Sequence, residues 1–370
     1  LRALVVLLNK DNAEGLGKAL ESLVNQSGVS VCVDFDILVV DGWSEDGSEL
    51  VVERFRKEFK CVNFVKQRFR GGVGQARVEA VRYAIDSGYD LIIWGDSENV
   101  YSRDYVSSFL KCFNDRGACD VCSGSTYVRD SFWGMLFYWY HAYHHLFKFV
   151  SRRHAPGNNK AVKTSLYERF VYPAIPRSDD FFFSLSIQGN AEFCHCEGAS
   201  LITTVPKSFK EVVAWQRNRV RGLVEGSLLT GRKLPPDFIP WFLLALSPTI
   251  IMLTYLTAAS SGFTSLISIP AETVFLAYLI GLTYLAVRLE LLAKERYLGY
   301  RPLQGLLGLL GMYLHSIFTT YYTLKFLRLL KHRVAEIRER DKQVKEFFGF
   351  IKQIPPPDRR GEYAVPVLGG

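Results

Sequence analysis

Leu91-Ile92-Ile93-Trp94-Gly95-Asp96-Ser97-Glu98 decides the fold. Four apolar residues run into a turn that carries two carboxylates, one residue apart. A continuous apolar run bounded by Gly predicts a strand buried on both faces, as in an α/β sheet. Acidic groups at the carboxyl end of such a strand stand where open α/β sheets bind ligands. Spaced i, i+2 through a bend at Ser97, Asp96 and Glu98 can reach one hard cation. Mg²⁺ or Mn²⁺ favours oxygen ligands of this kind and leaves other positions to water and substrate phosphates. Alone, the pattern fits a solvated acidic turn equally well, so the flanking sequence has to decide.

Upstream, two more strands end in polar residues. Val5–Leu8 leads into Asn9-Lys10-Asp11-Asn12, and the stretch Leu1–Leu8 is too short for a signal peptide and reads as a first strand. Asp36-Ile37-Leu38-Val39-Val40 ends at Asp41, followed by the turn residues Gly42 to Ser48. Helical spacing (Leu16, Leu20, Leu23, Val24) separates the two. A further strand at Val62–Val65, the loop Arg70-Gly-Gly-Val-Gly74 and a helix from Gln75 to Asp86 complete the approach. Alternating strands and helices predict a largely parallel sheet with helices on both faces. The Gly-rich loop before a helix is a weak candidate for cradling phosphate on backbone N–H groups.

Downstream, residues 132–150 carry Phe132, Leu136, Trp139, Tyr143, Phe147 and Val150 on one helical face. His141, His144, His145 and Lys148 lie on the other. Such a helix is expected to lie at a membrane interface, its histidines near headgroups rather than on a metal. Residues 155–163 form a turn into a short strand, and Arg177-Ser178-Asp179-Asp180 precedes three phenylalanines. Apolar neighbours would raise a carboxylate's pKa and suit it to proton transfer, while Asp179 can cap the helix that follows. Residues 209–231 read as a basic amphipathic helix, with Lys210, Arg217, Arg219 and Arg221, and Arg232 just beyond. Such a helix suits an anionic membrane surface or the grip on a leaving diphosphate.

The 370 residues allow about two domains, 48% of them are hydrophobic, and the net charge is +8. Because the basic residues crowd beside apolar stretches, the charge points to a membrane rather than to nucleic acid. Three segments, Ile239–Ala259, Leu266–Val287 and Leu303–Phe326, each approach the ~20 residues that span a bilayer. The linker after the first, Ser260–Ser265, is uncharged; the one after the second holds Arg288, Lys294, Arg296 and Arg301 and is expected on the cytoplasmic side with the α/β domain. Three crossings would leave the basic tail (Lys331 to Lys342) on the far side, against the positive-inside rule; either it lies there or one segment does not cross. After Pro355-Pro356-Pro357 the end reads as loosely ordered. The seven cysteines are scattered and odd in number, with Cys119-x-x-Cys122 and Cys194-His195-Cys196 the close pairs. They read as buried thiols in a reducing compartment rather than a zinc site, which would need two suitably spaced halves.

These residues resemble the family 2 glycosyltransferases, and within them the cellulose synthase-like membrane enzymes. The resemblance covers about residues 3–230. Val39-Val40-Asp41-Gly42-Trp43-Ser44-Glu45-Asp46-Gly47-Ser48 is similar to the family's V-V-D-D-G-S-x-D-G-T, departing at Gly42 and Trp43. Arg70 to Arg77 resembles its Gly-rich loop ending in Ala-Arg, and Asp96-Ser97-Glu98 falls on its D-x-D, with Glu for the second Asp. Pro156-Gly157-Asn158-Asn159-Lys160 looks like its acceptor-side loop, Ser178-Asp179-Asp180 falls on T-E-D, and Gln216 to Val220 falls on Q-x-x-R-W with Val for Trp. The lost Trp weakens any likeness to a polymer-gripping synthase.

The resemblance implies a GT-A catalytic domain over 1–208, an interface helix over 209–235, a transmembrane region of about three helices over 239–327 and a basic tail over 328–370. It implies an inverting hexosyltransferase using a GDP- or UDP-sugar. Asn9, Asn12, Asp41, Arg77, Asp96, Gln216 and Arg219 would meet the donor, and Asp96 and Glu98 would hold Mg²⁺ or Mn²⁺. Asp180 would be the general base, with Gly157, Asn158 and Asp179 on the acceptor side. The expected reaction moves one sugar, mannose favoured over glucose, to a lipid-linked polyprenyl (dolichyl) phosphate glycan at the cytoplasmic face of a membrane. The alternatives are a polyprenyl-phosphate sugar transferase, a processive polysaccharide synthase and an inactive membrane scaffold.

Overall fold

The computed structural model describes residues 1–350 apart from 116, 118, 148, 149, 151, 152, 232–237 and 262–267. Lys148, Arg232, most of the Ser260–Ser265 linker and the Pro355 to Pro357 run lie outside the described residues.

The opening stretch is the fourth of eight strands: β1 (Ala3–Asn9), β2 (Phe35–Asp41), β3 (Val62–Lys66), β4 (Leu91–Asp96), β5 (Val100–Tyr101), β6 (Val121–Val128), β7 (Lys160–Lys163) and β8 (Phe193–Thr203). They form one sheet in the order β3-β2-β1-β4-β7-β6-β8-β5. The first four strands in that order run parallel, as the apolar runs predict. β7 then enters antiparallel to both β4 and β6, so the sheet is mixed rather than all-parallel. The register pairs Asn9 with Asp41 and Leu8 with Asp96, bringing the polar strand ends to one edge. Alternate side chains of β1 feed two cores: Ala3, Val5 and Leu7 pack with Leu16, Leu20 and Phe109, while Leu4 and Val6 pack with Val78, Val81 and Trp94.

The expected interface helix over 132–150 is two helices, Phe132–His141 and Tyr143–Leu146, broken at Ala142. Phe137, Tyr138, Trp139 and His144 are buried, so the histidine-bearing side does not face headgroups as a whole. The second amphipathic stretch is the helix Phe209–Thr230. Its apolar side is taken by protein: Val220, Leu223 and Val224 pack against Tyr322, Phe326 and Ile337.

Two helices among the described residues are long and apolar enough to cross a membrane, Phe238–Thr257 and Glu272–Arg296. Their side chains are largely bare, with Met252, Leu253, Leu276 and Ile280 all more than half exposed. The third expected span is the helix Gln304–Leu330, and it differs. One side carries exposed Leu306, Leu310, Ile317 and Leu324; the other is buried. Near its start the Gln304 side chain donates to Met135 O, and near its end Phe326 and Leu330 pack on the core around Phe182 and Val220. Both ends therefore rest on the α/β domain. The basic tail folds back as the helix Val334–Phe347, where Asp341 accepts a 2.7 Å hydrogen bond from Ala174 N and Val344 joins the sheet's core.

The cysteines also depart from expectation. Cys32 and Cys61 form a disulfide, as do Cys119 and Cys194. β2 and β3 begin side by side, with Cys32 and Cys61 just ahead of them, and Cys119 lies just ahead of β6, which runs beside β8 and Cys194.

Candidate active site

The strand ends open into a cavity of about 2370 Å³. Small-molecule sites span roughly 300–1,000 Å³, so this one has room for two reactants. It runs from Asn9, Lys10 and Trp43, past Asp96, Glu98 and Asp180, to Trp241, Leu244, Tyr278 and Leu285 of the two apolar helices.

At the first end, Asn9, Asn12, Gly42, Trp43, Gln67 and Arg70 line the wall. Asp41 is fully buried behind them. Its carboxylate accepts from Asn9 Nδ2 (2.8 Å), Ser44 N (2.8 Å) and Ser44 Oγ (2.6 Å), so it shapes the turn rather than lining the cavity. Trp43 sits at φ +67° with its indole N–H on Gln67 O and the Arg70 guanidinium 4.3 Å from its ring centroid. The departure from the family pattern thus puts an aromatic plate at this end, where sequence reasoning had placed a gap in the motif.

Asp96 and Glu98 project from the end of β4. Enclosure by protein comes first and the Asp96 charge second in pushing Glu98 up to about 7. Burial also raises Asp96, against the pull of Arg77 and Arg177. Two neighbouring carboxylates that resist ionisation are a donor set short of positive charge, which fits a hard divalent cation. Arg177, exposed in the cavity and close enough to act on both, was quoted in the sequence only as a neighbour of the acidic pair.

The acidic pair opens the helix Asp179–Ile187. The two carboxylates diverge. Burial raises Asp179 to about 6 despite Arg77, whose Nε lies 2.7 Å from Asp179 Oδ2, both side chains being 3% exposed. Asp180 does the reverse of what apolar surroundings would impose. Burial alone would raise it, but His154, Lys160, Arg77 and a 2.9 Å hydrogen bond from Gly157 N together hold it below its ordinary value. Asp180 is therefore an ionised carboxylate facing the cavity, ready to accept a proton. His154 Nε2 lies 3.9 Å from it, and Lys160 is fully buried, pushed down to about 7 by burial first and Arg77 second. Neither was singled out from the sequence; a Lys inside an apolar strand was the available signal.

Gly157 fits only as glycine, since a Cβ there would sit 2.7 Å from Arg77 Nη2 and 3.1 Å from Asp180 Oδ2. Asn158 lines the cavity beside it. Arg77 spans the two halves: its Nη2 donates to Gly157 O at 2.8 Å. The Gly-rich loop before it is committed elsewhere. Val73 N and Gly74 N donate to Pro176 O and Ile175 O, so these groups hold the loop that carries the acidic pair rather than a phosphate. Of the Gln216–Arg219 pair, Arg219 lines the cavity. Gln216 bonds His315 Nδ1 at 2.9 Å, and Arg219 bonds Gln216 and Thr319. The pair thus fastens the helix Phe209–Thr230 to the helix Gln304–Leu330.

The mixed sheet, with acidic strand ends facing the cavity, is a GT-A-like α/β domain. Residues 3–170 match the model of Glycosyl transferase family 2. An uncharacterised glycosyltransferase of Bacillus subtilis (strain 168), YfnE, is 27% identical over 122 residues, 33% of this chain and 29% of that protein. The match thus spans under a third of the relative's length. The mannosyltransferase PcManGT of Pyrobaculum calidifontis, solved with GDP-Man and Mn²⁺, superposes with a TM-score of 0.57 at 20% identity, covering 87% of each chain. That likeness is one of fold and reaches beyond the catalytic domain.

Proposed function

We propose that the protein is a membrane-bound inverting glycosyltransferase that moves one hexose, mannose favoured, from a GDP- or UDP-sugar to a lipid-linked acceptor. The observation that carries this reading is the cavity's two ends. One is polar and lies at the strand ends; the other is walled by Trp241, Leu244, Tyr278 and Leu285 from helices whose outer sides are bare apolar surface. A lipid-borne hydroxyl or phosphate entering between those helices meets Asp180, while the donor occupies the Asn9 to Arg70 end. Asp180, ionised, takes the acceptor proton as the oxygen attacks the anomeric carbon from the side opposite the departing nucleotide. Arg177 and Arg219 face the developing diphosphate charge. Asp96 and Glu98 would hold Mg²⁺ or Mn²⁺, which would offset charge on the leaving nucleotide. The two apolar helices cross and return, leaving the catalytic domain, the helix Gln304–Leu330 and the tail on the cytoplasmic side.

The test is a screen of GDP- and UDP-sugars against a lipid extract, with mass analysis of the product. One added hexose on a lipid is expected; a polymer would establish a synthase instead. Asp180→Asn should lower turnover by about 10²-fold or more while donor binding persists. Normal turnover in that variant would sink the base assignment.

A further inference from the structure

Five of the seven cysteines converge on one place, away from the cavity. Cys112 comes from the helix Tyr105–Asp115, Cys119 from the turn before β6, Cys122 from β6, and Cys194 and Cys196 from β8. The sulfurs of Cys112, Cys119 and Cys122 all lie within 4.8 Å of one another, with Cys112 and Cys122 3.4 Å apart. Cys196 hydrogen-bonds both Cys122 and Cys112. Cys119 is bonded to Cys194. Cys119 and Cys122 are fully buried, Cys112 nearly so, and Cys194 and Cys196 are half-buried. None of the five lines the large cavity.

Tetrahedral zinc with Zn–S bonds of about 2.3 Å sets neighbouring sulfurs roughly 3.8 Å apart. The 3.4 Å separation of the Cys112 and Cys122 sulfurs and the 4.8 Å limit on the Cys112, Cys119 and Cys122 set bracket that spacing. Cys119-x-x-Cys122 is one ligand half of ordinary spacing. The sequence seemed to lack the other half because its members are 84 positions apart (196 − 112) and belong to different elements. The fold supplies it by laying β8 parallel to β6, with Cys196 opposite Gly124, and packing the Tyr105–Asp115 helix over both.

We propose that Cys112, Cys119, Cys122 and Cys196 form a four-thiolate Zn²⁺ site that fastens the Tyr105–Asp115 helix to β6 and β8. Binding replaces four S–H protons with the metal and leaves Cys194 as a thiol. The Cys119–Cys194 disulfide and the zinc site are alternative states of the same sulfurs, so the metal belongs to the reduced protein. Soft thiolate ligands select zinc over the hard cations suited to Asp96 and Glu98, which keeps the two sites chemically separate.

The test uses the full chain, purified in detergent with a phosphine reductant and no chelator. Elemental analysis should find about one zinc per chain, released by a mercurial thiol reagent. Replacing it with Co²⁺ should produce the thiolate-to-cobalt charge-transfer absorption of a sulfur site. Cys122→Ser should reduce the zinc to near none, while Asp96→Asn and the Cys32→Ser/Cys61→Ser double variant should retain it. Should Cys122→Ser fail to fold, the cobalt spectrum of the unaltered protein decides alone. Reduced protein with no tightly held zinc and no charge-transfer band overturns the proposal, as does zinc that survives in folded Cys122→Ser.

Discussion

Arg77 is the side chain on which both halves of the site lean. It pairs with Asp179, donates to Gly157 O and stacks 4.6 Å from the Trp94 ring centroid. A buried ion pair broken on one side leaves an uncompensated charge, which costs about 3–5 kcal/mol. Arg77→Met is therefore expected to lower the denaturant midpoint and to displace Gly157 and Asp180 together. Calorimetry and turnover on one preparation check this; loss of activity with unchanged stability would assign Arg77 to the donor instead. The pH dependence belongs at this scale too. Asp180 is held below its ordinary value, so its protonation does not set an acid limb near neutrality. Glu98, at about 7, does. Under the proposed metal role, protonation of Glu98 as pH falls through about 7 would compete with the cation. Raising Mn²⁺ should accordingly move the acid limb of the rate profile to lower pH, and a limb that ignores Mn²⁺ would refute the shared use of Glu98. The sequence revealed Asp96, Glu98 and Asp180 because carboxylates in order along a chain are visible there. It hid Lys160, His154 and Arg177, whose importance comes only from what they are packed beside.

At the scale of elements, close packing decides what the apolar stretches become. Gly305, Gly308 and Gly311 lie three apart on the helix Gln304–Leu330 and press against Ala286 O, the Tyr138 ring and Leu136 O. Alanine normally favours a helix over glycine by about 1 kcal/mol. Here the sign is expected to reverse, since a Cβ on Gly311 would sit 1.8 Å from Leu136 O. Gly311→Ala should lower the melting temperature, whereas Gly281→Ala, with open space around it, should not. Thermal unfolding of the two variants makes the comparison. Strand ends and helix starts of the α/β half were legible from period and turn residues, because local chemistry sets them. The committed Gly-rich loop was not, because it follows from partners more than 90 residues away, Ala174 to Pro176 against Gly72 to Gln75.

For the whole molecule, packing bears on the side of the membrane proposed for the basic tail. Three crossings would separate tail from catalytic domain, yet Arg340 pairs with Glu225 and Asp341 reaches Ala174 N. The proposed two crossings, by the pair of bare apolar helices, would keep them together and agree with the positive-inside rule. In sealed vesicles, tags placed before residue 1 and after residue 350 should be cleaved from the same side by added protease. Protection of one with cleavage of the other would restore a third crossing.

The strap formed by Val334–Phe347 has a consequence for how the enzyme comes into being. Asp341 holds the 173–176 segment, and that segment in turn seats the glycine loop and aims the acidic pair. Synthesis delivers the α/β half before residues 334–347, so the sheet can form before the loop bearing the acidic pair is braced. A chain cut short of residue 341 is expected to keep its sheet while losing the hold on residues 173–176.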